Sequence, residues 1–464
     1  MRVGVAGAGT MGAGIAQVAA LGGFDTRLHD PDAAALDTGM ERVADALRRG
    51  AEKQMWSEAD AEAATGRVAA APALEDLAEC DLVIEAAPED LEVKRELMGR
   101  LAEICGDDAI LATNTSSLSV TAIAAPLPRP ERVCGLHFFN PPALMKLVEV
   151  VAGDETGEEV LAAAADVAKA MGREPIRAAD GIGFVANRCA RPYTLESLRL
   201  LGDKIAGHEA IDRIMRLGGG FRMGPFELMD LVGIDVNFGV ARSFWEQSFH
   251  EPRWQPHPLQ ERMVAAGRLG RKTGRGWYSY ADGPHRADDP EAPRARGEVG
   301  APGDDPDVVE APGMRALRVE TASLAGLASG EDVVGFVALP DLAEATLVEL
   351  TRADATSDAT AAVAERHFEG LGKHVEWVGD APGLALGRVV SQIVNEAHFA
   401  AGQGVGTPED IDTAMRLGFN YPRGPFEWAR AIGPGRVVAI LDGLHRELGE
   451  ERYRVAPSLR RRAG

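Results

Sequence analysis

A chain of 464 residues has room for two to four domains, each with a full core. Apolar residues at 45% and charged residues at 26% are those of an ordinary folded protein, and no apolar run reaches the roughly 18 residues of a membrane span. A formal charge of -22 argues against nucleic acid and anionic membrane surfaces as partners, and it obliges any anionic ligand to find a local basic patch.

Met1 runs straight into RVGVAGAGTMG, which leaves no room for a signal peptide, so a cytoplasmic location is expected. Val3, Val5 and Ala6 predict a short apolar strand. Gly7, Gly9 and Gly12 then fit GxGxxG at the opening of a helix carried by Ile15, Val18 and Ala19. The first glycine permits the turn, the second lets backbone approach a pyrophosphate, and the third lets helix pack on strand. The loop, with Thr10 and Met11 between its last two glycines, offers free N–H groups at a helix N-terminus. A second strand, DTRLHD, ends at Asp30, an acid suited to a ribose 2'-OH and repellent to a 2'-phosphate; the cofactor expected is NAD. LRRGAEKQMW follows on a predicted helix, where Arg48, Arg49 and Lys53 form either a basic patch or a solvated charged face.

DLVIEAAPED, AILATNTSSLSV and RVCGLHFF read as further strands with helices between them, which predicts a doubly wound, mainly parallel sheet. Ligands in such sheets lie beyond the C-terminal strand ends, where Glu89, Ser116 and His137 all fall. His137 and Glu149 are equidistant from Ala143, so a hairpin centred there sets them opposite each other. A carboxylate on one imidazole nitrogen fixes the tautomer and leaves the other nitrogen to take a proton. The pair alone equally suits a core histidine satisfied by an acid. Cys80, Cys105, Cys134 and Cys189 lie far apart without a CxxC pair, so neither a metal site nor a disulfide framework is expected.

ADGIGFVANRCARPYTLESL (179–198) reads as a loop that delivers Asn187 into a helix. With NTSSL (114–118), HFFNPP (137–142), EAAPEDLEVK (85–94) and GRKTGRGWYSY (270–280), residues 1–280 closely resemble the L-3-hydroxyacyl-CoA dehydrogenase family. The resemblance implies His137 as catalytic base, Glu149 as its carboxylate partner, and Ser116 and Asn187 as contacts to the substrate oxygen. It further implies that Glu89, Lys94, Asn114, Asn140 and Lys272 belong to the NAD site and that the region of Arg49 and Lys53 meets the CoA portion. The expected reaction is reversible NAD-dependent oxidation of a (S)-3-hydroxyacyl-CoA, as in fatty-acid β-oxidation. The alternative is a small hydroxy or sugar acid such as L-gulonate, the substrate of relatives that share the glycine loop and histidine.

Residues 133–230 and 333–430 align without a gap, a duplication at constant offset. IDRIMRLGGGFRMGPFEL returns as IDTAMRLGFNYPRGPFEW, and NTSSL returns as ETASL, six residues out of step. The polar set does not return: Ser116 becomes Ala322, His137 becomes Val337 and Asn187 becomes Gly387, while Glu149 persists as Glu349. The expected organisation is therefore a Rossmann-type α/β domain (1–178) and a helical domain (179–280), then a flexible linker (281–313), a degenerate α/β segment (314–378) and a second helical domain (379–464). The second copy is expected to be chemically silent and to make the chain a pseudo-dimeric protomer, with further homodimerisation left open.

Overall fold

The structure, a computed structural model, describes residues 1–281, 283–297 and 305–464. They form two compact units: Met1–Asn187 with Gly404–Gly418, and Arg188–Gln403 with Phe419–Gly464.

The first unit is built on eight strands: β1 (Arg2–Ala6), β2 (Asp25–His29), β3 (Val68–Ala71), β4 (Leu82–Glu85), β5 (Ile110–Thr113), β6 (Val133–Phe138), β7 (Leu147–Ala152) and β8 (Glu174–Ala179). Their order in the sheet is β3-β2-β1-β4-β5-β6-β7-β8. All neighbours run parallel except β6 and β7. Strands β4, β5 and β6 are buried along their whole length because helices cover both faces, the condition under which a parallel sheet reads as continuous apolar runs. Val3, Val5, Ile84 and Leu136 of the sheet share one core with Ile15 and Val18 of the helix Thr10–Leu21. The antiparallel step at β6–β7 is the expected hairpin, and its register pairs His137 with Glu149.

The second unit carries a five-stranded sheet, β9 (Val308–Ala311), β10 (Met314–Arg318), β11 (Val334–Val337), β12 (Leu347–Arg352) and β13 (His374–Trp377), in the order β13-β12-β11-β10-β9. Strands β11 to β13 repeat β6 to β8, down to the pairing of Val337 with Glu349, and β10 lies beside β11 as β5 lies beside β6. Nothing among the described residues repeats the nucleotide half of the first sheet. Instead β9 pairs antiparallel with β10 and covers the edge left open. This strand falls inside the segment expected as linker (281–313), because Val308 and Val309 extend a ladder that composition did not reveal. Earlier in the same segment His285 and Arg286 bond to Glu227, and Asp289 pairs with Arg216 at 2.8 Å. Residues 282 and 298–304 of that expected linker lie outside the described residues.

The unit boundaries also cut across the chain order expected from the motifs. Residues 404–418 were assigned to the second helical domain, yet they pack within the first unit, where Ala179 N–H donates to Val405 O at 2.9 Å. In the second unit the counterpart segment of the first copy does the same for the second sheet: Gly379 N–H donates to Ile205 O at 2.6 Å, and Thr346 Oγ1 donates to Leu217 O. Each copy thus lends its short helical segment to the other copy's sheet. The helices on which this exchange turns, Ala186–Gly202 and Leu386–Gly402, are joined by two reciprocal buried ion pairs, Arg188 with Glu396 at 2.7 Å and Arg388 with Glu196.

Glu349 keeps only part of the role of Glu149. Its oxygens accept the N–H groups of Ala385 and Leu386 at 2.8 and 3.1 Å, at the start of the helix that follows β13. Val337 stands opposite it where the first copy has its imidazole. Burial pushes its carboxyl up to about 8, the two backbone donors oppose the rise, and the charge of Glu376, its neighbour across β12–β13, adds to it. An acid at its ordinary 4.5 in the unfolded chain and about 8 in the folded one weakens the fold as pH rises through that interval, because only the unfolded form has released its proton there. Glu349→Gln is therefore expected to gain stability relative to the native chain as pH increases from about 5 to about 8. Thermal melts of both proteins across that range check it, and a pH-independent difference would contradict the assignment.

Candidate active site

The C-terminal ends of β1, β4, β5 and β6 collect the polar groups. At β1 the chain turns through Gly7, whose φ of 117° and whose approach to Ala86 O, 2.5 Å from where a Cβ would stand, admit no other residue. A Cβ on Gly12 would strike the carbonyl of Gly7. Gly9 differs, since a Cβ there would meet no protein atom within 4 Å. Its bareness serves nothing in this chain's packing and leaves room for a ligand to reach the backbone. No side chain caps the helix Thr10–Leu21, so its first N–H groups, those of Thr10 and Met11 among them, face that open side. Asp30 accepts the Ala8 N–H at 2.8 Å and the Asp32 N–H at 3.0 Å, which fixes the acid against the loop. A dinucleotide fits this cradle.

At β4 and β5, Glu89 gathers the NTSSL loop: its Oε1 accepts from Thr115 Oγ1 at 2.7 Å, Ser116 N–H at 2.9 Å and Ser117 N–H at 3.0 Å. Burial pushes the Glu89 carboxyl up, but the Thr115 hydroxyl, the Lys94 charge and the serine donors outweigh it and hold the group below its ordinary value. Asn114 accepts the Phe138 N–H at 2.8 Å and so ties this loop to the strand of His137. Lys94 is 1% exposed, gives its ammonium to both oxygens of the buried Glu85 at 2.8 and 3.0 Å and to Ala87 O at 3.3 Å, and lies 3.4 Å from Glu89 Oε2. Lys94 thus ties the end of β4 to Glu89 and, through it, to the serine loop. Thr113 Oγ1 completes the network on Glu85 at 2.6 Å. The sequence reading misses Glu85; an acid closing an otherwise apolar strand, LVIE, is the signal that could have found it.

At β6 and β7 the pair is formed. His137 Nδ1 lies 2.7 Å from Glu149 Oε2, with both side chains buried. The carboxylate can only accept, so Nδ1 carries the hydrogen and Nε2 is left as the acceptor. The rings of Phe139 and Phe184 flank the imidazole at centroid distances of 4.5 and 5.9 Å. The other oxygen of Glu149 accepts the N–H groups of Val185 and Ala186 at 3.0 and 2.9 Å. Gly183 and Phe184, at φ 69° and 48°, turn the chain so that these donors point inward. Asn187, the next residue, is part-buried in the first turn of the helix. Glu149 thus has two tasks, orienting His137 and capping the helix that carries Asn187. Only the second task survives in the other copy, where Val337 and Gly387 stand and Ile440 Cδ1 lies 3.4 Å from where a Cβ on Gly387 would stand.

Asn140 is exposed beyond β6. Lys272 sits in the second unit, paired with Asp235 at 2.6 Å. On the helix Ala33–Glu52, Arg48 is drawn to Asp45 at 2.8 Å, while Arg49 and Lys53, at its C-terminal end, are exposed. No described helix is long and apolar enough to cross a membrane.

Comparison with known proteins places this geometry. The family model described as 3-hydroxyacyl-CoA dehydrogenase, NAD binding domain, matches residues 2–181, and the model of the C-terminal domain of the same family matches 183–280 and again 383–463. The chain is similar to the 3-hydroxyadipyl-CoA dehydrogenase of Escherichia coli K12, with 40% identity over 99% of this chain and 97% of that one. It is similar to the probable 3-hydroxybutyryl-CoA dehydrogenase of Deinococcus radiodurans, with 40% identity over 60% of this chain and all of the relative. Among solved structures, the 3-hydroxybutyryl-CoA dehydrogenase of Escherichia coli K12 superposes with a TM-score of 0.94 at 38% identity, covering 100% of this chain and 98% of that one.

Proposed function

The chain belongs to the 3-hydroxyacyl-CoA dehydrogenase family, and from that premise we propose how its residues share the reaction and which acyl group they serve. The protein is an NAD-dependent oxidoreductase that interconverts (S)-3-hydroxyacyl-CoA and 3-oxoacyl-CoA; the matches favour this thioester over the sugar acid. NAD, when bound, supplies the ring that takes the hydride. An alcohol also needs a base and donors for the oxygen as its charge develops. His137 accepts the hydroxyl proton on Nε2 and returns it in the reverse direction. Glu149 holds the tautomer and the aim of the ring. Ser116 and Asn187 donate to the C3 oxygen, Ser116 from a loop pinned by Glu89 and Asn187 from a helix pinned by Glu149. The Gly7–Gly12 loop, Asp30 and Asn114 hold the dinucleotide, and Arg49 and Lys53 meet the phosphates of coenzyme A. The single observation that carries this reading is the bond of His137 to Glu149 at 2.7 Å.

For the acyl group we propose a short chain that ends in a carboxylate, as in 3-hydroxyadipyl-CoA. The support is similarity along 99% of this chain, both copies included, to a relative of that name. Initial rates of NAD reduction are expected to give a kcat/KM at least about tenfold higher with 3-hydroxyadipyl-CoA than with 3-hydroxybutyryl-CoA, a difference of about 1.4 kcal/mol in transition-state binding. Equal or reversed values would overturn the choice. A pseudo-dimeric protomer is proposed alongside it, supported by the reciprocal exchange of residues 204–218 and 404–418, and a cytoplasmic location, supported by the bacterial relatives.

A further inference from the structure

Gly418 lies near the end of the helix Pro408–Phe419, and it belongs to the first unit although it comes from the second copy. A Cβ built on it would stand 2.7 Å from Leu147 Cδ2, 3.6 Å from Phe139 Cε1 and 3.8 Å from Ala186 Cβ. Each of these neighbours touches the His137–Glu149 pair or shares its strand. Phe139 lies against the imidazole at 4.5 Å, Leu147 is two residues from Glu149 on the same face of β7, and the Ala186 N–H donates to Glu149 at 2.9 Å.

We propose that the duplicated half supplies a positioning element to the reaction: the last turn of the helix Pro408–Phe419, through the bare backbone of Gly418, holds Phe139 and Leu147 in the rotamers that aim His137. Gly418 is a positioning residue and acts through those two side chains. The inference rests on the reading of His137 as the base. It makes the second copy a working part of the site, where its lost polar residues had marked it as scaffold alone.

The molecule contains its own control. Gly218, the same position in the first copy, packs on the second sheet with a prospective Cβ 3.2 Å from Leu386 Cδ2 and 3.5 Å from Leu347 Cβ. Both prospective Cβ atoms meet a leucine Cδ2 first, at 3.2 Å here against 2.7 Å at Gly418, but the strand beside Gly218 carries Val337 and no histidine.

The test uses the full-length chain carrying Gly418→Ala, Gly218→Ala or Phe139→Leu, with His137→Gln and the Gly418→Ala/His137→Gln double variant beside them. Gly418→Ala is expected to lower kcat about tenfold with the KM for NAD changed less than about twofold, since small displacements of a reacting group cost that much or more. Gly218→Ala is expected to keep native kcat. Phe139→Leu, which leaves the helix intact, is expected to lower kcat as well and decides the matter should Gly418→Ala not fold. In the His137→Gln background Gly418→Ala is expected to cost nothing further, because the group it positions is gone. The proposal is overturned if Gly418→Ala matches Gly218→Ala in kcat, if Phe139→Leu turns over at the native rate, or if the Gly418 effect persists without the histidine. Near-native turnover by His137→Gln itself would remove the base assignment, and this inference with it, a result distinct from the other three.

Discussion

His137→Gln is expected to lower kcat by about 10²- to 10⁴-fold, the usual contribution of a positioned base. Glutamine is chosen because its amide can donate to Glu149 Oε2 as Nδ1 does now, so the acid is not left buried and alone. Glu149 then keeps its bonds to Val185 and Ala186, and the helix Ala186–Gly202 keeps its cap. The glycine loop and Asp30 are untouched, so NAD affinity, followed by titration, is expected to stay within about twofold of native. Loss of turnover with affinity and melting temperature retained isolates proton transfer from folding. A folded, NAD-competent variant that turns over the thioester near the native rate would refute the assignment.

The second large effect concerns the fold. Arg388→Met is expected to destabilise the protein by about 3–5 kcal/mol, the cost of stranding a buried charge. Arg388 is 1% exposed, and its guanidinium meets Glu196, the Tyr453 hydroxyl at 2.8 Å and Asp203 at 3.2 Å. Without it Glu196 keeps, among the described residues, the Tyr453 hydroxyl at 2.8 Å. Arg188→Met is the informative companion, because Glu396 would still hold Arg253 at 2.7 Å and is not stranded. Denaturant titrations are expected to show the smaller loss for Arg188→Met. Equal losses would mean that packing of the two arginine stems, and not charge, sets the cost.

The sequence disclosed most where arithmetic along a strand suffices. The His137–Glu149 register follows from a period of two and the position of the turn, so counting residues found it. The glycine loop was equally legible, because backbone geometry there permits few residue types. The burial of Lys94 was not legible, because lysine is seldom fully buried and only the fold shows Glu85 beside it. The capping task of Glu149 stayed hidden because its partners arrive 36 and 37 residues later through a left-handed turn. The exchange of short helices was not readable at all. IDRIMRLG and IDTAMRLG present the same apolar pattern, and nothing in a pattern states which of two similar sheets it will dock against.

That exchange sets an order of events during synthesis. Residues 1–187 leave the ribosome more than two hundred residues ahead of the segment 404–418 that completes their unit. At about 5–20 residues per second the gap lasts on the order of 10–50 s. Throughout it the site that Gly418 will fill, lined by Leu147, Phe139 and Ala186, stands open to the stand-in segment 204–218 of another nascent chain. Crowded polysomes should therefore favour cross-chain tangles, and slow, dilute expression should favour the correctly threaded chain.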